Sequence, residues 1–392
     1  MNEVYIIQAK RTPIGSFVGS LSELTATQLG AIAIKEVLKS VNVDPKEIDS
    51  VYMGNVLAAN LGQSPARQAS LFAGIAETAD CTTVNKVCAA GMKATIIGAQ
   101  QIELGLENLV ITGGMESMSN VPHYTQLRKP TKIGEATLVD GLLKDGLTDV
   151  YNNFHMGNAA ELCVTKYEIT RKQQDEFALS SYTKAAKATQ EGKFKDEIVP
   201  ITVKGKTGEI IIDTDEDIFK VIPEKVSKLN PVFVENGTIT AANASNLNDS
   251  AAALLLASKD AVEKYNLKPI AKIISYADAA LAPEWFTTAP SVAIKKALQQ
   301  AKLSLSDIDF FEINEAYAAV VIANQKILDL ESDKINVYGG AVAMGHPLGA
   351  SGARIICTLL SVLRQERGKY GVAAICNGGG GASAVVIENY NL

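Results

Sequence analysis

Ala33-Ile34-Lys35-Glu36-Val37-Leu38, followed by Ile48-Asp49 and Gly54-Asn55, is echoed about 260 positions later by Ala293-Ile294-Lys295-Lys296-Ala297-Leu298, Ile308-Asp309 and Asn314-Glu315. The echo continues downstream. Cys88-Ala89-Ala90-Gly91-Met92-Lys93 resembles Gly349-Ala350-Ser351-Gly352-Ala353-Arg354, and Val110-Ile111-Thr112-Gly113-Gly114 resembles Ala374-Ile375-Cys376-Asn377-Gly378-Gly379. Self-similarity at a long period marks a duplicated chain. Each copy reads as strand, helix, strand, helix, strand, and this alternation predicts α/β layers with helices packed on mostly parallel sheets. One repeated unit needs about 120 residues, so the long period leaves roughly 140 over, the size of a further small domain. They fall between about 119 and 249, where the texture is more charged, as in Leu127-Arg128-Lys129-Pro130-Thr131-Lys132 and Lys204-Gly205-Lys206-Thr207-Gly208-Glu209. The expected division is therefore 1–118 plus 250–268 as the first half, 119–249 as an inserted loop domain, and 269–392 as the second half.

Composition bounds the function classes. With 392 residues, 47% of them hydrophobic, the chain can bury a large core in two or three domains. The longest apolar runs, 251–256 and 355–363, are too short or interrupted to cross a bilayer, so no membrane role is expected. The start, Val4-Tyr5-Ile6-Ile7-Gln8-Ala9, reads as a strand and not as a secretory leader, which points to the cytoplasm. Five cysteines, Cys81, Cys88, Cys163, Cys357 and Cys376, are odd in number and lack ligand spacing, and the histidines are only His123, His155 and His346. Reduced thiols and no metal site follow. A net charge of −6 without a basic stripe argues against nucleic acid.

Four stretches carry candidate chemistry. Cys88 precedes a small-residue run whose apolar positions Met92, Ile96 and Ala99 have helical spacing, so it sits at or near a helix N-terminus. There the helix dipole favours thiolate over thiol and free N–H groups can cradle an oxyanion. A buried packing role is the alternative. His346 stands in Met344-Gly345-His346-Pro347-Leu348-Gly349, a loop too rich in turn residues to be core filler, with a helix expected from Ser351. Cys376 ends a strand before Gly378-Gly379-Gly380-Gly381; a strand follows, and the G-x-G-x-x-G spacing is absent, which removes a dinucleotide site. Asn314, in Glu312-Ile313-Asn314-Glu315-Ala316-Tyr317, lies at a strand end, where α/β sheets place ligands, or else caps the next helix. A nucleophilic thiol, a base, a second acid/base and oxyanion donors are the parts of acyl transfer followed by proton abstraction α to a carbonyl.

The signatures around Cys88, His346 and Cys376, in that order and spacing, resemble those of the thiolase family, and within it the acetyl-CoA acetyltransferase branch, over essentially the whole chain. The resemblance implies a five-layered αβαβα core built from two βαβαβαββ halves with an inserted loop domain. It implies condensation of two acetyl-CoA to acetoacetyl-CoA plus CoA, and the reverse thiolysis. Cys88 matches the nucleophile, His346 its base and Cys376 the second acid/base. One oxyanion hole would combine His346 with a water held by Asn314, the other the N–H groups of Cys88 and Gly378. His155, Met156 and Ser245 match pantetheine contacts, and Leu147, Ala241, Ala316 and Tyr317 are expected beside them. Residues 126–141 resemble the loop that pairs dimers into a homotetramer. No metal or redox cofactor is implied. The segment Glu216-Asp217-Ile218-Phe219 lacks the tyrosine through which the mitochondrial-type branch binds potassium. Ala90 stands where serine or threonine is common and Tyr317 where phenylalanine is usual. Rival readings are a broad-range 3-ketoacyl-CoA thiolase of β-oxidation and a non-catalytic CoA- or lipid-binding relative.

Overall fold

A computed structural model describes residues 2–41, 43–128, 132–205 and 208–390. Of the stretches quoted above, residues 129–131 and 206–207 lie outside the described residues. Nine strands carry the architecture: β1 Val4–Arg11, β2 Ser50–Gly54, β3 Asp80–Val84, β4 Leu109–Ser117, β5 Asn248–Ser258, β6 Ala271–Ala280, β7 Phe310–Ile313, β8 Tyr370–Asn377 and β9 Gly381–Asn389. They join in the order β7-β8-β9-β6-β1-β5-β4-β2-β3, with the two-residue strand Gly15–Ser16 pairing onto β5. Pairings β2–β3, β2–β4 and β7–β8 are parallel, whereas β4–β5, β1–β5, β6–β9 and β8–β9 are antiparallel. The halves meet through Val4, Tyr5 and Ile6 of β1 opposite Ile273, Lys272 and Ala271 of β6.

The helices used below are α1 Ala26–Lys39, α2 Pro65–Ala73, α3 Ala90–Glu103, α4 Met156–Lys166, α5 Arg171–Gln190, α6 Ala289–Ala301, α7 Ala318–Leu328 and α8 Leu348–Gln365. Among the described residues the first half runs βαβαβαββ, from β1 to β5 with the long excursion between β4 and β5. The second half repeats it, except that its third strand shrinks to a single parallel bridge between Phe311 and Ile335. Helices α3 and α8 pack on each other and on strands of both halves, so the sheet folds around them. Helices α1 and α2 cover the first half from outside and α6 covers the second. The result is five layers, αβαβα.

Local sequence explains these elements. Thr25 and Gln28 form a capping box that starts α1, and Leu29, Ala33, Ile34, Val37 and Leu38 give it one buried apolar face. The apolar run of β5 has no polar alternation because both its faces are buried. Ala251, Ala253 and Leu255 enter the core under α1, while Ala252, Leu254 and Leu256 enter the core around α3 and α8. Helix α8 is buried from Leu348 to Leu363, as a middle layer requires, and it begins at Leu348, three residues earlier than expected, with Pro347 as its N-cap.

The middle helices cross at their N-terminal ends through glycine. A Cβ on Gly91 would lie 2.8 Å from the Gly349 carbonyl oxygen, one on Gly352 would lie 2.4 Å from Met92 N, and one on Gly114 would lie 2.0 Å from the Gly349 oxygen. These neighbours are backbone atoms, so no rotamer change relieves the clash. Gly114→Ala should therefore destabilise the protein by about 3 kcal/mol or more, the upper end of overpacking costs. Urea denaturation checks this: the midpoint should fall at unchanged slope, and a wild-type midpoint would show that the crossing can open.

Candidate active site

Strand β3 ends at Val84, and the chain reaches α3 through a tight turn at Asn85-Lys86-Val87-Cys88. Val87 adopts φ of 47°, a left-handed conformation that costs a β-branched residue energy. It is held by its N–H donating to Asn85 Oδ1 at 3.0 Å, and by the Ala90 N–H donating to the Val87 carbonyl at 2.9 Å. This turn sets Cys88 just ahead of the first turn of α3, facing a cavity of about 400 Å³. The sulfur accepts the N–H groups of Gly378 and of Cys88 itself, both of which favour the thiolate. Burial outweighs them and pushes the thiol up to about 11. The N–H groups act in the expected direction, but desolvation outweighs them, and Cys88 rests as a thiol.

His346 lies between the short helix Ala341–Met344 and α8. Its N–H donates to Asn248 Oδ1 at 3.0 Å, and Gly345, at φ of 112°, packs so closely on Asn248 that a Cβ would come within 2.2 Å of that oxygen. The ring tautomer follows from Ser351. The Ser351 hydroxyl donates to the Pro347 carbonyl at 2.9 Å, so across its 2.6 Å contact with His346 Nδ1 it can only accept. Nδ1 therefore carries the hydrogen, and Nε2, a buried atom of a cavity-lining residue, has no partner among the described residues, so its lone pair is unused. Burial, reinforced by the charge of Arg354, pushes the imidazole down to about 3. It is a neutral base.

Cys376 is fully buried at the end of β8, behind the cavity wall. Burial raises its pKa far above the ordinary thiol value, and a charge on Cys88 raises it further. Asn314 directly follows β7, with Nδ2 3.4 Å from His346 Nδ1. It does not cap α7, whose N-cap is Tyr317. Apart from Asn314 and Cys376, every site residue expected from sequence lines the cavity: Cys88, His346, Gly378, His155, Met156, Ser245, Leu147, Ala241, Ala316 and Tyr317. Ser245 ties its loop to the β7 end by donating to the Ala316 carbonyl at 2.9 Å. His155 caps α4 by accepting the Gly157 N–H on Nδ1 at 3.0 Å, which leaves Nε2–H as its free donor. Its ring stacks on Phe233 at 4.7 Å.

Sequence reasoning missed four supporting residues. Ser351 and Asn248 fix the base; Ser351 was within a quoted motif, five positions from His346, but Asn248 sits alone in sequence. Phe233 forms a wall between His155 and Tyr317 and carries no local signal. Glu116, fully buried at the end of β4, accepts the N–H groups of Val56, Leu57 and Gly349 and is pushed up to about 7 by burial. Lys225 lines a groove that shares Ala241 and Asn246 with the cavity. Among the described residues no cluster of three or more His, Cys, Asp or Glu side chains is placed to hold a metal.

Residues 4–260 match the thiolase N-terminal domain and residues 267–389 the thiolase C-terminal domain. The chain belongs to the thiolase family. It is 54% identical over 390 residues to acetyl-CoA acetyltransferase 2 of Arabidopsis thaliana, covering 98% of this chain and 97% of the relative. It is 52% identical over 389 residues to the cytosolic acetyl-CoA acetyltransferase ERG10 of Gibberella zeae, covering 98% of both. The fold superposes with a TM-score of 0.94 and 46% identity on Acat5 thiolase from Ascaris suum, solved in complex with coenzyme A, over 99% of this chain and 100% of that one.

In this thiolase a thiol held near 11 has a testable signature. Below that value the thiolate fraction rises about tenfold per pH unit. Alkylation of Cys88 in the free protein by iodoacetamide, followed by peptide mass spectrometry, should keep accelerating from pH 7 through pH 10. A plateau by pH 7 would mean a preformed thiolate–imidazolium pair. Ser351→Ala, which frees the ring tautomer, should slow acylation of Cys88 by about tenfold or more.

Proposed function

We propose that the chain is an acetyl-CoA C-acetyltransferase, condensing two acetyl-CoA to acetoacetyl-CoA and CoA and running the reverse thiolysis. The observation that carries the reading is the meeting, around one largely apolar cavity, of the Cys88 thiol, an unpartnered His346 Nε2 and, behind the wall, the Cys376 thiol. The names of the relatives and the CoA-bound structure of Acat5 thiolase support it.

The protons balance without a cofactor. His346 Nε2 takes the Cys88 proton as sulfur attacks the first acetyl carbonyl, and the departing CoA thiolate takes the proton of Cys376. Burial keeps Cys376 protonated in the resting enzyme, and Cys88, now an uncharged thioester, adds no repulsion when Cys376 ionises. The Cys376 thiolate removes a methyl proton of the second acetyl-CoA, and the resulting carbanion attacks the acetyl group on Cys88. Cys88 leaves as a thiolate and recovers its proton from His346. The N–H groups of Cys88 and Gly378 serve one oxyanion and His346 with Asn314 the other. His155, Met156, Leu147, Ala241, Ser245, Ala316 and Tyr317 line the path for the pantetheine arm and the acyl unit, with residues 119–249 acting as the CoA-binding unit.

The reading extends to a cytoplasmic enzyme that assembles as a homotetramer. Its support is the cytosolic relative together with the exposed apolar side chains Leu127, Ile133 and Leu138 in the 126–141 segment. Incubation with acetyl-CoA or acetoacetyl-CoA should add one acetyl group at Cys88, seen by peptide mass spectrometry; absence of the adduct refutes the reading. Cys376→Ser should still be acetylated yet lose condensation by about a hundredfold or more.

A further inference from the structure

Helix α8 is built of small and apolar residues through its buried length, with one exception. Arg354 is completely buried. A guanidinium is among the most expensive groups to bury and normally brings a matched set of acceptors with it. Among the described residues Nε and Nη1 have no hydrogen-bond partner, and Nη2 reaches only Asn314 Oδ1, at 3.4 Å. The charged groups around it are Glu312 from β7, Glu315 beyond it, Arg11 from β1 and Glu197, and among the described residues no carboxylate forms an ion pair with it. Glu197 is committed to Arg11, Thr358 and Ser361, and Glu315 to Ser181, Asn336 and the Val342 N–H.

The chemistry of the pair decides an orientation. Guanidinium carries only donors, so the atom of the Asn314 carboxamide that faces it must be the oxygen. The amide is planar, which turns Nδ2–H2 to the opposite side; Nδ2 lies 3.4 Å from His346 Nδ1, whose own hydrogen is directed at Ser351, so the amide hydrogens are left for a third partner. Without Arg354 the carboxamide could flip by half a turn and set an oxygen, with its lone pairs, where the proposed mechanism needs the amide hydrogens to hold the water of the oxyanion hole. We infer that Arg354 is a positioning residue for the condensation reaction, locking the Asn314 carboxamide with its donor side toward the reaction centre.

This inference rests on the condensing-enzyme reading above, and a double-mutant cycle separates the two. Arg354→Lys and Arg354→Gln are made alone and combined with Asn314→Ala, and acetoacetyl-CoA synthesis is followed at varied acetyl-CoA. In the wild-type background each should lower kcat by about tenfold while KM changes less than about threefold. In the Asn314→Ala background the same substitutions should cost less than about twofold, because the group they act through is gone. Equal losses in both backgrounds, or a raised KM at unchanged kcat, overturn the inference. Should both Arg354 variants fail to fold, Asn314→Asp supplies the test. It offers the unmatched guanidinium a carboxylate, so it should melt no lower than wild type, and a marked fall in melting temperature overturns the contact. A wild-type chain without condensation or thiolysis sinks the functional reading itself; an active wild type with an additive cycle sinks only the role of Arg354.

Discussion

The structure depends on a backbone-to-backbone crossing in its middle layer. Helices α3 and α8 meet near their first turns with Gly54, Gly91, Gly114, Gly349 and Gly352 at the contact, where a single Cβ would fall 2.0 to 2.8 Å from main-chain atoms. Side chains of ordinary size would hold two helices 8 to 10 Å apart. Removing them brings two helix N-termini from opposite halves of the chain to one point. Cys88 precedes the first, and His346, with its support Ser351, brackets the start of the second. The duplication thus has a physical consequence: neither half can complete the site, because each supplies one helix start.

Two converging helix N-termini would be expected to make the site strongly anion-stabilising. The opposing effect is larger in the resting protein. Burial raises Cys88 to about 11, raises Cys376 further, lowers His346 to about 3 and raises Glu116 to about 7. All four shifts favour the neutral form, as desolvation does. In the proposed mechanism the preorganised N–H groups of Cys88 and Gly378 therefore act chiefly on the charge that develops during reaction, which is where such donors contribute most. A charge on Cys88 would raise Cys376 further, so in the proposed mechanism only one of the two sulfurs is a thiolate at a time.

Much of this was legible in the sequence, for a definite reason. Duplication leaves paired traces, so the echo of residues 33–55 in 293–315 was enough to read α/β halves and to locate the excursion between them. Residues that carry chemistry in this fold sit at strand ends and helix starts, next to glycine, and Cys88, His346, Cys376 and Gly378 all stood out on that ground. What stayed hidden is what only the fold brings together. Asn248 holds His346 from 98 positions away, and Phe233 reaches His155 from 78. No local pattern records those contacts. The sign of the Cys88 shift was also hidden, because helix position is visible in sequence whereas the extent of desolvation is not.

The echo between the two helix starts also explains where the copies had to diverge. Gly349 occupies in α8 the place that Cys88 holds before α3, and its carbonyl oxygen is the atom against which Gly54, Gly91 and Gly114 pack. A second cysteine there would push the helices apart, so the nucleophile can exist in one copy only. Lys93, the counterpart of Arg354, points the other way, pairing with Asp278 at 2.6 Å at the partly exposed edge of the layer. The equivalent cation in α8 is turned inward beside Asn314, where no ion pair among the described residues meets it. Duplication supplied a basic residue at this helical position twice. The exposed copy ties the two halves together, and the buried copy, expensive in the interior, is retained where it can face the carboxamide next to the base.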